Sequence, residues 1–315
     1  MDYVRLGRSG LVSSVVGLGG GSSSRFGLTK GGTRSDALKL IHGALDLGIT
    51  FFDGAGVCGG EVDELLRDGL SASRDGVLLS TKIHLGPAPV IFSGARRTNQ
   101  ASSRIARRFG FVCSASVLRA RVEQTLKTLR TDRIDVLHLH AVSQAQYPSA
   151  AQVAVPLLLR MKEEGKLRAI GITEQYLRDP EHKMLKVAVD NPSFDTMMAG
   201  FSFMNRSAAD FVLPAALEHD TAVIGMFAVR GVARGPDSEL NEIIAQSGVA
   251  GLPELAYLYC RHQRGIHVVL TGTGNAEHLR RNVEAALSPP ISEPVLKRLK
   301  AWSDRQSHAD ASTLK

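Results

Sequence analysis

Cysteine is sparse in this chain: Cys58, Cys113 and Cys260 stand far apart along 315 residues. An odd, scattered set offers neither a disulfide framework nor the paired spacing of a zinc site, so no metal is expected. Long apolar runs are also missing. Nothing approaches the roughly 18 consecutive apolar residues of a membrane span. The opening Met1-Asp2-Tyr3-Val4-Arg5 lacks the basic-then-apolar profile of a signal peptide. These absences predict a cytoplasmic chain without membrane association. Acidic residues vanish between Asp75 and Glu123, an interval holding Lys82, Arg96, Arg97, Arg104, Arg107, Arg108, Arg119 and Arg121. That interval carries the whole net charge of +7 and leaves the remainder near neutral. No helix-turn-helix, finger or aromatic–basic platform accompanies the arginines, so no nucleic-acid partner is expected.

What is present is ordinary globular material. A content of 43% hydrophobic and 22% charged residues excludes a disordered chain and supplies a sizeable core. Short β-branched runs alternate with helical patterns from end to end, as in βα units around a parallel sheet. The predicted strands are Val15–Leu18, Thr50–Phe52, Val77–Thr81, Ile134–Leu139, Ala169–Thr173, Thr196–Ala199, Ala222–Met226 and Val268–Thr271. Helical spacing of apolar residues marks Ser35–Leu47, Ser116–Leu129, Ser207–His219 and Asn275–Ala286.

Eight such units predict an α/β fold, a single-domain (βα)8 TIM barrel over residues 1–315. The rival is an open dinucleotide-binding sheet. Its glycine fingerprint should follow the first strand, but Gly17-Leu18-Gly19-Gly20-Gly21-Ser22 lacks the third glycine and no strong helix begins there. Residues Asp2 to Leu11 suggest a hairpin plugging the N-terminal end of the barrel. Gly86 to Ala115, with its clustered arginines, is a long basic loop after the third strand, a catalytic lid or a solvated insert.

In a barrel, a polar residue at the C-terminal end of an apolar strand faces the mouth. Asp53, Lys82 and His140 each occupy such a position. An isolated charge there is costly, so an Asp53–Lys82 pair is expected. Alone, this set also reads as a structural ion pair beside a core histidine.

The motifs narrow the choice. Arg5-Leu6-Gly7-Arg8-Ser9-Gly10-Leu11, Phe51-Phe52-Asp53, Ser80-Thr81-Lys82, Leu129 to Asp135 with Leu137-His138-Leu139-His140, and Gly165 to Thr173 occur in order. Together they closely resemble the aldo-keto reductases over essentially the whole chain. The resemblance implies an NAD(P)-dependent oxidoreductase acting on a small carbonyl or alcohol. Asp53 would pair with Lys82, and His140 would orient the substrate oxygen. His138 would be a packed histidine. Cys58 stands five residues after the aspartate, where the family carries its proton-donating tyrosine. A thiol has a reference pKa near 8.5 against about 10 for tyrosine, but its reach is shorter. Cys58 is thus either a replacement acid or a small residue making room, and His140, Tyr147 or Tyr176 are other candidate donors.

For the cofactor, Val268 to His278 reads as a strand running through a glycine turn into a helix whose free N–H groups suit a phosphate. The resemblance puts Gly272, Thr273, Gly274 and His278 near the pyrophosphate and adenosine ribose, and Asn282 near the adenine. Arg281 is a candidate for a 2′-phosphate, so NADP is the expected cofactor with NAD open. At the nicotinamide end the same comparison places Gly19, Asp53, Thr173, Glu174, Met198, Met226 and Phe227, with Arg230 a candidate phosphate contact. The clustered arginines of the long loop suit an anionic or polar substrate. Two further readings stand beside the oxidoreductase: a dehydratase, lyase or isomerase using Lys82 and His140, and a non-catalytic cofactor-sensing protein.

Overall fold

The computed structural model of the protein describes residues 1–21, 24–54, 60–87, 105–231 and 237–313, with side chains described as far as residue 306. Cys58 and the arginines at 96, 97 and 104 therefore lie outside the described residues.

Two short antiparallel strands come first, β1 (Tyr3–Arg5) and β2 (Val12–Ser14). The eight barrel strands follow: β3 (Val16–Gly19), β4 (Phe51–Asp53), β5 (Leu78–His84), β6 (Ile134–Val142), β7 (Leu167–Glu174), β8 (Thr196–Gly200), β9 (Ala222–Met226) and β10 (Ile266–Thr271). They pair in parallel in that order, and β10 closes onto β3 through Val269–Val16, Leu270–Gly17 and Thr271–Leu18. All eight predicted strands are present, with ends shifted by a few residues. The main helices are α1 (Arg34–Asp46), α2 (Glu61–Leu70), α3 (Ala115–Leu129), α4 (Val155–Glu163), α5 (Lys183–Ala188), α6 (Val212–Glu218), α7 (Ser238–Gln246), α8 (Leu252–Arg261), α9 (Ala276–Leu287) and α10 (Glu293–Thr313). Among the described residues, no helix is long and apolar enough to cross a membrane.

Local chemistry explains the helix ends. Thr33 and Asp36 form a capping box at the start of α1, exchanging side-chain bonds with each other's backbone N–H. The predicted helix over 207–219 is instead broken. A 3₁₀ turn at Ser207–Asp210 precedes α6, because Pro214 has no N–H to return to Asp210.

Alternation along each strand sends one set of side chains outward to the helices and one into the lumen. The inward set builds a narrow second core of Phe51, Leu78, Val136, Ala169, Met198, Ala222, Ile224 and Val268, closed below by Leu6 and Leu11 of the hairpin. The expected plug is thus in place. Arg5 pins it through a bidentate pair with Asp220 at 2.8 Å. Each fully buried aliphatic or aromatic side chain here contributes about 2 kcal/mol. Two carboxylates finish the strand edges. Asp135 accepts from Leu79 N and pairs with Arg74 and Arg168, and Asp195 accepts from Ile170 N and pairs with Lys162.

Above that apolar layer the lumen becomes polar, and space is tight. A Cβ at Gly171 would lie 2.2 Å from the buried His138 ring and 2.4 Å from Thr196 Oγ1. Gly171→Ala is expected to destabilise the protein by about 2 kcal/mol, since neither neighbour can retreat. Urea denaturation checks it; an unchanged midpoint would mean that the His138 layer is loosely packed.

Candidate active site

At the C-terminal mouth β4 ends on Asp53, and the neighbouring β5 presents Lys82 two residues beyond Ser80, the register partner of Asp53. Both charges are buried. An ammonium has three donors. Those of Lys82 go to Asp53 Oδ2 at 2.5 Å, Asp53 Oδ1 at 2.6 Å and Gly54 O at 2.8 Å. The expected pair is formed. It also extends across the barrel: Ser80 Oγ donates to Asp53 Oδ1 at 2.8 Å and lies 3.3 Å from His138 Nδ1, and His138 Nε2 lies 3.0 Å from Thr196 Oγ1. His138 is fully buried, as a packed histidine should be.

His140 sits higher on β6, half-buried, where strand pairing is irregular. The β6–β7 register slips between Leu139 and Val142, and Ala141 adopts φ +50°. A left-handed alanine costs about 1 kcal/mol and re-aims the strand locally. Thr173 Oγ1 holds the bulge by accepting from Ala141 N at 2.7 Å. His140 Nδ1 lies 3.3 Å from His84 Nδ1, the rings meeting edge to face at 4.6 Å. His84 was not singled out from the sequence. Its signal was period two: it follows Lys82 by two residues on the same strand and so shares its face.

A second missed group is Asp63 on α2. It is buried, accepts from Thr81 Oγ1 at 3.4 Å, and stands 2.5 Å from where a Cβ at Gly54 would be. Burial pushes its carboxyl up to about 6, against the pull of Lys82.

The three mouth imidazoles are held neutral. Burial pushes His84 down to about 4, helped by Arg107 and Arg121. Burial lowers His138 well below the usual range, with Lys82 adding to it, and burial, His84 and Lys82 do the same to His140. The unfolded imidazole protonates near 6.5. As pH falls below that value the unfolded chain binds protons that the folded chain refuses. Their contribution to stability is therefore complete above about 6.5 and is lost as pH falls below it, that of His84 through about 4. Asp63 has the opposite sign, its contribution being complete below about 4 and lost as pH rises through about 6. Four imidazoles are lowered, His267 included, against two carboxyls raised, Asp63 and Glu174, so the urea midpoint should fall between pH 6.5 and 5. His84→Asn should flatten that slope by about one proton. An imidazole signal of His84 titrating near 6.5 in NMR would contradict this account.

Residues 105–113 are docked at the mouth. Ser143 Oγ donates to Arg107 O at 2.7 Å, Gln146 Nε2 to Phe111 O at 2.9 Å, and Cys113 N to Leu85 O at 2.8 Å. Arg107 thereby lines the narrow cleft shared by His84, His140 and Gln146.

The other predicted positions divide between the lumen, its rim and the outer layer. Thr173 and Met198 are fully buried, Met198 within the apolar core of the lumen. Glu174, next after the inward Thr173, turns outward. Its carboxylate accepts from His182 Nδ1 at 2.8 Å and from Gly200 N at 2.8 Å, and burial raises its pKa. Gly19 lies at the top of β3. After β9, Met226 is half-buried and Phe227 more than a third exposed, with the Arg230 guanidinium 5.2 Å above the Phe227 ring. The Tyr176 ring stacks on Phe227 at 5.5 Å and lies against Gly200, where a Cβ would be 2.2 Å away. Tyr147 has its hydroxyl 3.5 Å from Asn191 Nδ2.

After β10 the chain turns through Gly272, Thr273 and Gly274 into α9, capped by Asn275, whose side chain accepts from His278 N at 3.0 Å. Gly272, Gly274 and His278 are exposed. Gly274 abuts Gly27 so closely that a Cβ would lie 2.1 Å from Gly27 Cα. Arg281 Nη2 pairs with the buried Glu254 at 2.7 Å. Asn282 donates from Nδ2 to Thr271 Oγ1 at 3.0 Å, and its Oδ1 is buried without a partner.

Comparison with known proteins agrees with this architecture. The model of the Aldo/keto reductase family matches residues 16–304. An L-galactose dehydrogenase of Arabidopsis thaliana is 31% identical over 173 residues, covering 53% of this chain and 47% of the plant enzyme, so the match spans about half of that relative's length. An uncharacterized oxidoreductase of Bacillus subtilis (strain 168), YqkF, is 24% identical over 94% of this chain and 95% of its own. Among solved structures, the holo form of aldo-keto reductase AKR11C1 from Bacillus halodurans superposes with a TM-score of 0.75 at 21% identity, covering 96% of both chains.

Proposed function

This chain belongs to the aldo-keto reductase family and is an oxidoreductase, and from that premise we propose that it interconverts a carbonyl and an alcohol with a nicotinamide cofactor. The observation that carries this reading is the convergence of Asp53, Lys82 and His140 at the barrel mouth.

The adenosine end fits such a cofactor. Asn282 Oδ1 is a buried acceptor without a partner, suited to an adenine amino group, and the exposed glycine turn at the start of the twelve-residue α9 suits a pyrophosphate. Gly272, Thr273, Gly274, Arg230 and Asn282 would hold that half. Arg281 and His278 share a face of α9 at i,i+3, and Arg281 keeps Nε and Nη1 outside its Glu254 bond, which favours NADP over NAD. Gly19, Asp53, Thr173, Met226 and Phe227 would flank the nicotinamide; Met198 supports that wall from within the core, and Glu174 does so through Gly200. When bound, the cofactor supplies or accepts a hydride.

The protein's own part is electrostatic. His140, held neutral with Nδ1 toward His84, presents Nε2 to the carbonyl oxygen as a hydrogen-bond donor. Lys82, fixed by Asp53, stabilises the negative charge that develops on that oxygen. Cys58 occupies the family's acid position, so proton delivery is the weak step. A cytoplasmic setting belongs to this reading, and Cys113 and Cys260 are accordingly free.

Titration with NADPH and NADH tests the proposal. Saturation at about 100 times the dissociation constant should stabilise the fold by about 2.7 kcal/mol. Asn282→Ala should weaken binding about tenfold by removing one buried hydrogen bond. Absence of any thermal shift with either dinucleotide at millimolar concentration would sink the reading and leave a non-redox lyase or isomerase as its successor.

A further inference from the structure

A basic groove opens beside the reacting centre, and the chemistry described above leaves it unused. Arg107 and Arg108 of the docked segment form one wall, and Gln175 and Arg178 from the loop after β7 form the other. With Ile105 and Ser143 they line an open groove of about 430 Å³, room for a small ligand, in which Arg108 and Arg178 are exposed and Arg107 is half-buried. Arg107 also walls the narrow cleft that holds His84 and His140, so the groove leads to the reacting end.

Its charges have no internal purpose. Many arginines elsewhere are paired, as Arg5 with Asp220, Arg34 with Asp68 and Arg119 with Glu164. Among the described residues, Arg107, Arg108 and Arg178 have no carboxylate partner, and the Arg108 guanidinium lies 5.8 Å from the Phe109 ring. The two facing guanidiniums repel, and burial together with Arg178 lowers the pKa of Arg107. The nearest carboxylates are already committed. Asp179 accepts from Lys183 N and Met184 N at 2.9 Å, and Glu181 pairs with Lys183 at 3.0 Å. Gln175 Nε2 adds a buried donor with no partner. The wall packs against the loop after β6, where Gly110 (φ +71°) lies so close to Ala145 O that a Cβ would be 2.5 Å away. Unneutralised guanidiniums and an orphan amide donor around one open groove make an oxyanion site.

We infer that this groove binds an oxyanion carried by the substrate, so that the substrates are carbonyl compounds bearing a carboxylate or phosphate at their far end. The carbonyl half of this statement rests on the function proposed above; the oxyanion half does not.

The two halves are tested separately. Reduction of 4-carboxybenzaldehyde, 4-formylphenyl phosphate and the neutral methyl 4-formylbenzoate is compared by kcat/KM. One of the two anions should exceed the ester about tenfold, the value of one charge-assisted hydrogen bond. Which anion leads identifies the group. Arg178→Gln should bring the ratio near one through KM, Arg178→Lys should restore part of it, and high salt should mimic the loss. A wild-type ratio near one, or an Arg178→Gln ratio equal to wild type, overturns the site. In parallel, benzoate and inorganic phosphate are titrated while the Gln175 side-chain amide is followed by NMR. Shifts that disappear in Arg178→Gln support the site even if no aldehyde turns over, in which case only the proposed function falls. No shift with either anion overturns the site even if the ester is reduced.

Discussion

Lys82→Met is expected to lower carbonyl turnover by about two orders of magnitude or more and to destabilise the fold by about 3 kcal/mol. Both effects come from one geometry. The ammonium gives all three donors to Asp53 and Gly54 within 2.8 Å, and its side chain is largely withdrawn from water. Methionine fills the space but leaves the Asp53 carboxylate buried with Ser80 Oγ as its remaining side-chain partner among the described residues. A charge stripped of its counter-ion is the expensive case, whereas removal of both charges is close to neutral. The double variant Asp53→Asn/Lys82→Met should therefore regain most of the stability and none of the activity. Urea midpoints and initial rates of NADPH oxidation read the two quantities. Recovery of activity with stability would show that the pair is only structural.

Cys58→Tyr is expected to raise the reduction of small aldehydes by about a hundredfold, the usual worth of a positioned general acid. Hydride addition to a carbonyl leaves an oxygen that must take a proton. His140 is held neutral and is a poor acid, and Lys82 is committed to Asp53. The third proton of Lys82 rests on a backbone carbonyl, Gly54 O, a partner that a phenol hydroxyl can displace. The family's tyrosine at position 58 would then stand beside an ammonium that lowers its pKa. Absorbance at 340 nm with a panel of aldehydes reads the gain. A slower rate at unchanged cofactor affinity would mean that proton delivery does not limit the reaction and that the small side chain makes room for substrate.

Much of this was legible in the sequence, because each apolar run could be matched to a strand and each charge at its end had only the mouth to face. Asp53 and Lys82 followed from that rule. Glu174 was placed at the nicotinamide by resemblance, yet alternation from the inward Thr173 already turned it toward His182. Pro214 in the same way marked the break in the helix over 207–219. Other features left no local trace. Nothing about Ala141 announces a left-handed backbone, since alanine is a poor choice there and the bulge is imposed by the β6–β7 pairing. Arg178 and Gln175 belong to no motif in the sequence. Their meaning comes from Arg107, some 70 positions earlier and brought opposite by tertiary contact. The arginine-rich interval suggested an anion, but the described partner of Arg107 is a loop that the interval does not contain.

The seam where β10 meets β3, tightened by the contact of Gly27 with Gly274, has a consequence for how the chain is made. The paired residues are about 250 positions apart, so the ring cannot shut until Thr271 has left the ribosome. Until then β3 is an edge strand with unpaired backbone groups, and the apolar lumen stands open on one side. Synthesis at about 5–20 residues per second leaves that edge exposed for ten seconds or more. The growing chain should therefore be a client of chaperones that shield strand edges, and a pause in translation before Ile266 has emerged should raise aggregation more than an equal pause once Thr271 has emerged.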